Sequence, residues 1–141
     1  LNVYLDSSFV VSLYLTDAHS QEARRRAPRE APFELTPFHL AQWAHALAQQ
    51  EFRGNLTAEK AGQINGQFIT DRAAGLLQEI ALPEDAFSLC AELAQRYGSS
   101  LGMRTLDSLH VACALELKAE RFWTFDERQG KLAKAVGLKI S

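Results

Sequence analysis

The sequence predicts an α/β protein, a three-layer α/β/α sandwich with a mainly parallel central sheet. Short apolar segments bounded by polar residues recur along the chain, and stretches of helical periodicity separate them. Parallel neighbours need a crossover of about a dozen residues, which the intervening helices supply. The length of 141 residues suits one domain, expected over residues 1–141.

Val3 to Leu5 reads as the first strand, followed by a helix from Ser8 to Leu15 and another from His19 to about Ala27, where Pro28 and Pro32 end it. Phe33 to Thr36 is the second strand. The helix beginning near His39 places Leu40, Trp43, Ala44 and Leu47 inward. Thr57 to Arg72 is helical although Gly62 and Gly66 weaken it. Leu77 to Leu82 is the third strand. The helix from Glu84 to Tyr97 groups Ala86, Leu89, Cys90, Leu93 and Tyr97 on one face, and that from Leu106 to Leu117 groups Leu106, Leu109, Cys113 and Leu117. Arg121 to Phe125 and Leu138 to Ile140 complete the strands.

Hydrophobic residues make up 47% and charged residues 23%, a globular composition. No apolar run approaches the roughly 18 residues of a membrane span, and no basic segment leads into an apolar one near the N-terminus, so a cytoplasmic location without membrane attachment is expected. Cys90 and Cys113 lack partners at zinc-finger spacing and read as core thiols. A net charge of −2 makes no global electrostatic case for nucleic acid.

In open parallel sheets, functional residues collect at the carboxyl ends of the strands. "NVYLDSS" delivers Asp6 after the first strand, and "RFWTFDERQG" delivers Asp126 after the fourth. In "RTLDSLH", Asp107 opens the helix that feeds the fourth strand. Each has a simpler explanation: Asp6 as a helix cap, Asp107 as a favourable charge at a helix N-terminus, Asp126 and Gln129 as a capping box. Capping needs only a local acceptor, however, whereas aspartates sharing one edge repel one another unless a cation is bound. Carboxylates without soft ligands suit Mg²⁺ or Mn²⁺.

The stretches "VYLDSSFVVSLYL", "LTPFHLAQWAHAL", "LGMRTLDSLHVACALELKAERFWTFDERQ" and "LAKAVGLKI" together resemble the PIN-domain ribonucleases, and within them the VapC-type toxins of toxin–antitoxin pairs. The resemblance covers essentially the whole chain. It implies an acidic site at Asp6, Asp107 and Asp126, with Ser8 matching a small polar residue beside the metal. It implies Mg²⁺- or Mn²⁺-dependent hydrolysis of RNA. Because a metal-activated water does not need the RNA 2′-OH, 5′ phosphate and 3′ hydroxyl ends are expected. It also implies a homodimer and a small VapB-type antitoxin, for which the helices from Ala18 to Ala27 and His39 to Phe52 offer a surface. Phe38 and Trp43 are its candidate apolar anchors, with core packing the alternative for both and the favoured reading for Trp43.

One position departs from the pattern. Where the family carries a glutamate expected on the first turn of its helix, this chain has Gln42. The amide keeps the shape but removes one negative charge from a cation site. Glu51 and Glu127 are poor substitutes, the first more than two helical turns along and the second a first-turn surface residue. The alternative reading is therefore an inactive PIN-like domain that binds RNA or an antitoxin.

RNA approaching an acidic edge needs basic flanks. Arg104, Arg128 and Arg53 are the candidates, with Arg104 and Arg128 nearest the aspartates, whereas the run Arg24, Arg25, Arg26 and Arg29 has the look of a solvated helix face. His39 and His45 read as polar surface or partner-facing residues and His110 as a core histidine. An aspartyl-phosphate phosphatase, which also presents Asp at a strand end, is disfavoured because Ser8 stands where a second acid is expected.

Overall fold

The computed structural model describes residues 2–140. In chain order the elements are β1 (Val3–Leu5), α1 (Ser7–Tyr14), α2 (Ser20–Arg26), a 3-10 turn (Ala27–Arg29), β2 (Phe33–Leu35) and α3 (Pro37–Phe52). There follow α4 (Ala58–Ala73), β3 (Leu77–Glu79), α5 (Ala86–Leu101), α6 (Thr105–Glu116), β4 (Arg121–Trp123) and α7 (Glu127–Ala135). The chain forms two compact units: Ser7–Ala81, and the segment ending at Asp6 together with the chain from Leu82 onward. Each is built on one parallel strand pair, β2 with β3 in the first and β1 with β4 in the second.

In the unit built on β1 and β4, Tyr4 lies opposite Phe122 and Leu5 opposite Trp123. All three residues of β1 are buried, as expected of a parallel strand covered on both faces. The Tyr4 and Phe122 rings stack at 5.5 Å, and the Tyr4 hydroxyl meets His110 Nδ1 at 2.7 Å. Burial first, and then the neighbouring Cys113, push the Tyr4 phenol well above its ordinary range, so it stays neutral. His110 is thus a buried, hydrogen-bonded core histidine, and it anchors α6 one turn beyond Asp107.

The face expected of α6 is incomplete. Leu106 is exposed and Leu117 half-buried, while Ser108 through Ala114 are all buried. With α5 and α7 both packed on it, this helix is enclosed on several sides, and amphipathic periodicity no longer marks its inner face. Both cysteines are free and buried, as core thiols should be. The expected last strand, Leu138 to Ile140, is reduced to a single parallel bridge between Arg121 and Lys139.

In the other unit, α3 starts two residues earlier than the periodicity suggests. Thr36 caps it, Pro37 occupies its first position, and His39 Nδ1 accepts the Thr36 backbone N–H at 3.0 Å. His39 is therefore buried in a cap rather than presented at the surface. The early start also rotates the expected face: His39, Trp43 and Leu47 are buried, Leu40 is half-buried and Ala44 is exposed. Trp43 stacks on Phe68 at 4.3 Å and donates to Asn65 Oδ1 at 2.9 Å, which makes it a core residue and not an apolar anchor for a partner.

The arginine run is largely taken up locally. Arg24 donates to the carbonyls of Leu13 and Leu15, Arg25 pairs with Glu22, and Arg26 lies over the Phe9 ring. A cavity of about 430 Å³ lies beside Arg24, lined also by Tyr14, Phe33 and Asp71. Gly62 and Gly66 both sit inside α4 with open space where a Cβ would project. Gly66→Ala should therefore stabilise the chain by about 0.5–1 kcal/mol through helix propensity and a less disordered unfolded state. A urea denaturation midpoint that rises confirms it; an unchanged or lower midpoint refutes it.

Candidate functional site

The register of β1 against β4 decides where the first aspartate goes. Extending the pairing past Leu5 and Trp123 brings Asp6 beside Thr124, and the Asp6 backbone N–H donates to the Trp123 carbonyl at 3.1 Å. Asp6 is only 4% exposed. Its Oδ2 lies 2.8 Å from the Thr124 hydroxyl, which also accepts the Asp126 N–H at 3.0 Å.

Asp126 caps α7, its Oδ1 accepting the Gln129 N–H at 2.8 Å. Only that half of the expected capping box forms. The Gln129 side chain does not reach back to the cap; it turns inward, 1% exposed, with Oε1 2.7 Å from the Thr124 hydroxyl and Nε2 donating to the Asp107 carbonyl at 3.1 Å. The cap N–H is satisfied by Thr124 instead, which frees the amide for this second task.

Asp107 lies in the first turn of α6 and is half-buried. Burial first, and then the Asp126 charge, push its carboxyl above the usual range, while the Arg104 backbone N–H and the charges of Arg104 and Arg128 pull the other way. Asp107 and Asp126 therefore feel one another, as do Asp107 and both arginines. Arg128 also donates to the Gly102 carbonyl at 3.4 Å.

One network thus joins Asp6, Asp107 and Asp126, each on a different element of the same unit. Among the described residues no three His, Cys, Asp or Glu side chains are grouped closely enough to enclose a metal ion. The aspartates form an open set: their hard oxygens, and the repulsion between Asp107 and Asp126, suit a divalent cation, but they do not close a coordination sphere by themselves.

The remaining expected residues lie in the unit formed by Ser7–Ala81. Ser8 is exposed in the first turn of α1. Gln42 is half-buried in α3, and because that helix begins at Pro37 it occupies the second turn rather than the first. Arg53 caps the far end of α3. Sequence reasoning passed over Thr124 entirely and assigned Gln129 only a capping role. A threonine two residues before a strand-end aspartate is the signal that was available.

A PIN domain family model matches residues 3–135. The chain belongs to the PIN domain family. A search of curated proteins finds no match. Among solved structures, the chain is similar to VapC20 of Mycobacterium tuberculosis, described as a sarcin-ricin loop cleaving toxin, with a TM-score of 0.69 and 16% identity over 99% of this chain and 98% of that one. It is similar to VapBC2 of Rickettsia felis bound to a promoter DNA fragment, with a TM-score of 0.67 and 14% identity over 100% and 98% of the two chains. A third likeness is to FitAcB of Neisseria gonorrhoeae, with a TM-score of 0.64 and 13% identity over 98% and 95%. The α/β class with parallel strands is therefore the PIN-like one. No helix among the described residues is long and apolar enough to cross a membrane.

The raised Asp107 carboxyl has a consequence for stability. A group whose folded pKa exceeds its unfolded value favours the fold below the unfolded pKa and loses that contribution as pH rises through the folded pKa. In the presence of chelator, Asp107→Asn should therefore raise the melting temperature at pH 7, with a gain that shrinks as pH falls through the carboxylate range. A variant that melts lower at pH 7 contradicts the electrostatic account.

Proposed function

We propose that this chain is a VapC-type toxin, an endoribonuclease that hydrolyses RNA phosphodiesters with a divalent cation, Mg²⁺ or Mn²⁺, held by Asp6, Asp107 and Asp126. The observation that carries the reading is the network joining the Asp6 and Asp126 carboxylates to the main chain of Asp107, at the ends of β1 and β4 and the start of α6, in a chain of the PIN family. The family match spans both compact units, which supports their acting as one domain.

The cation would supply Lewis acidity and an acidified water for attack on phosphorus. Thr124 holds the Asp6 carboxylate in place, which would spare it reorganisation when a cation is bound. Arg104 and Arg128, whose charges reach Asp107, would meet backbone phosphates of RNA approaching the acidic edge. Ser8, exposed at the start of α1, contacts substrate in this reading. Hydrolysis by water needs no 2′-hydroxyl, so the products carry 5′ phosphate and 3′ hydroxyl ends.

Similarity to a VapBC complex supports a VapB-type antitoxin as partner. The same reading makes the protein a cytoplasmic homodimer. Phe38, half-buried at the start of α3, remains an anchor for that partner.

Gln42 favours a second reading, in which the amide leaves a domain that binds RNA or antitoxin without cleaving. Cleavage of mixed cellular RNA with Mg²⁺ or Mn²⁺ separates the two, using the chain as it stands, Gln42→Glu, and Gln42→Glu with Asp6→Asn, each with and without chelator. The nuclease reading expects Gln42→Glu to raise cleavage on the order of tenfold or more, with the gain abolished by Asp6→Asn or chelator. Silence in all three assigns a binding role, and products ending in 2′,3′-cyclic phosphate refute hydrolysis by water.

A further inference from the structure

Gln129 is tied directly to two of the three aspartates and, through the Thr124 hydroxyl, to the third. Its backbone N–H donates to Asp126 Oδ1 at 2.8 Å, its Nε2 donates to the Asp107 carbonyl at 3.1 Å, and its Oε1 lies 2.7 Å from the Thr124 hydroxyl, itself 2.8 Å from Asp6 Oδ2. It is 1% exposed. An amide buried to that degree costs free energy unless each polar atom finds a partner, and leucine would fill a similar volume with no such demand. Capping does not explain the side chain either, since the cap uses only the backbone N–H.

We propose that Gln129 is a positioning residue that sets the spacing of the three carboxylates, acting on Asp107 through its main chain and on Asp6 through Thr124. The inference rests on the nuclease reading of the same site. Two ties converge on one planar amide, so the first turn of α6 and the end of β4 cannot shift independently. A displacement of either changes the separation of oxygens that must meet one small cation, and Mg²⁺ or Mn²⁺ tolerates little error in that separation. The hydroxyl of Thr124 is the shared joint, with a single hydrogen between two acceptor oxygens and the Asp126 N–H donated to it from the third side.

The test is Mn²⁺ affinity, measured by calorimetric titration without RNA, together with the melting temperature of each metal-free protein. All substitutions are made in the Gln42→Glu background, with Asp6→Asn as the control for specific binding. Gln129→Leu keeps the backbone cap and removes both amide ties; Thr124→Val removes the joint, and Thr124→Ser restores its hydroxyl. The proposal expects Gln129→Leu and Thr124→Val each to weaken Mn²⁺ binding about 10–100-fold, Thr124→Ser to bind within about threefold of the Gln42→Glu protein, and melting temperatures to change too little to account for the loss. If Gln129→Leu fails to fold, the Thr124→Val and Thr124→Ser pair decides by the same criterion. Unchanged affinity in Gln129→Leu, or in Thr124→Val where only that pair folds, overturns the positioning role while leaving the nuclease reading intact. If the Gln42→Glu protein binds no Mn²⁺, or binds it equally well after Asp6→Asn, the reading of the site and the positioning role fall together.

Discussion

The parallel pairing of β1 with β4 is the constraint on which the site depends. Its register, Leu5 opposite Trp123, leaves the next residue of each strand side by side, and those residues are Asp6 and Thr124. Side-chain period in a strand is two, so a slip of one residue in β1 would turn Asp6 to the opposite face from Thr124. Tyr4 resists that slip from within the strand, stacked on Phe122 and hydrogen-bonded to His110 of α6. The same bond holds α6 against β1 one turn from Asp107. Core packing and carboxylate placement are therefore one arrangement, not two.

Placing acids together works against stability, and the structure shows where. Asp107 is raised by burial and by Asp126, with two arginines offsetting part of the effect. A threonine and a glutamine that serve only as caps would not need to be inside. Here the polar network costs desolvation and returns fixed distances among the groups it ties together.

Much of this was legible in the sequence because it rests on local signals. Apolar runs ending in Asp marked β1 and β4, and helical periodicity located α3 to α6 within a few residues. What was not legible depends on tertiary contact. Gln129 fits a capping box by spacing, and only the fold shows that Thr124 occupies the cap N–H and leaves the amide to turn inward. His39 looked like a surface residue because nothing in the chain announces that it closes the cap of α3. Leu106 and Ala44 were placed inside by a periodicity that enclosure of one helix and an earlier start of the other both defeat. Gln42 was visible at once as a departure from the family glutamate, since that is a matter of residue identity and needs no fold.

The most direct measurement is the anomalous scattering of Mn²⁺ in crystals of the Gln42→Glu protein. The account predicts an Mn²⁺ peak within coordination distance of Asp6 and at least one of Asp107 and Asp126, with the Thr124 hydroxyl still on the Asp6 carboxylate. An Mn²⁺ ion bound elsewhere, with the three aspartates facing only water, would contradict it.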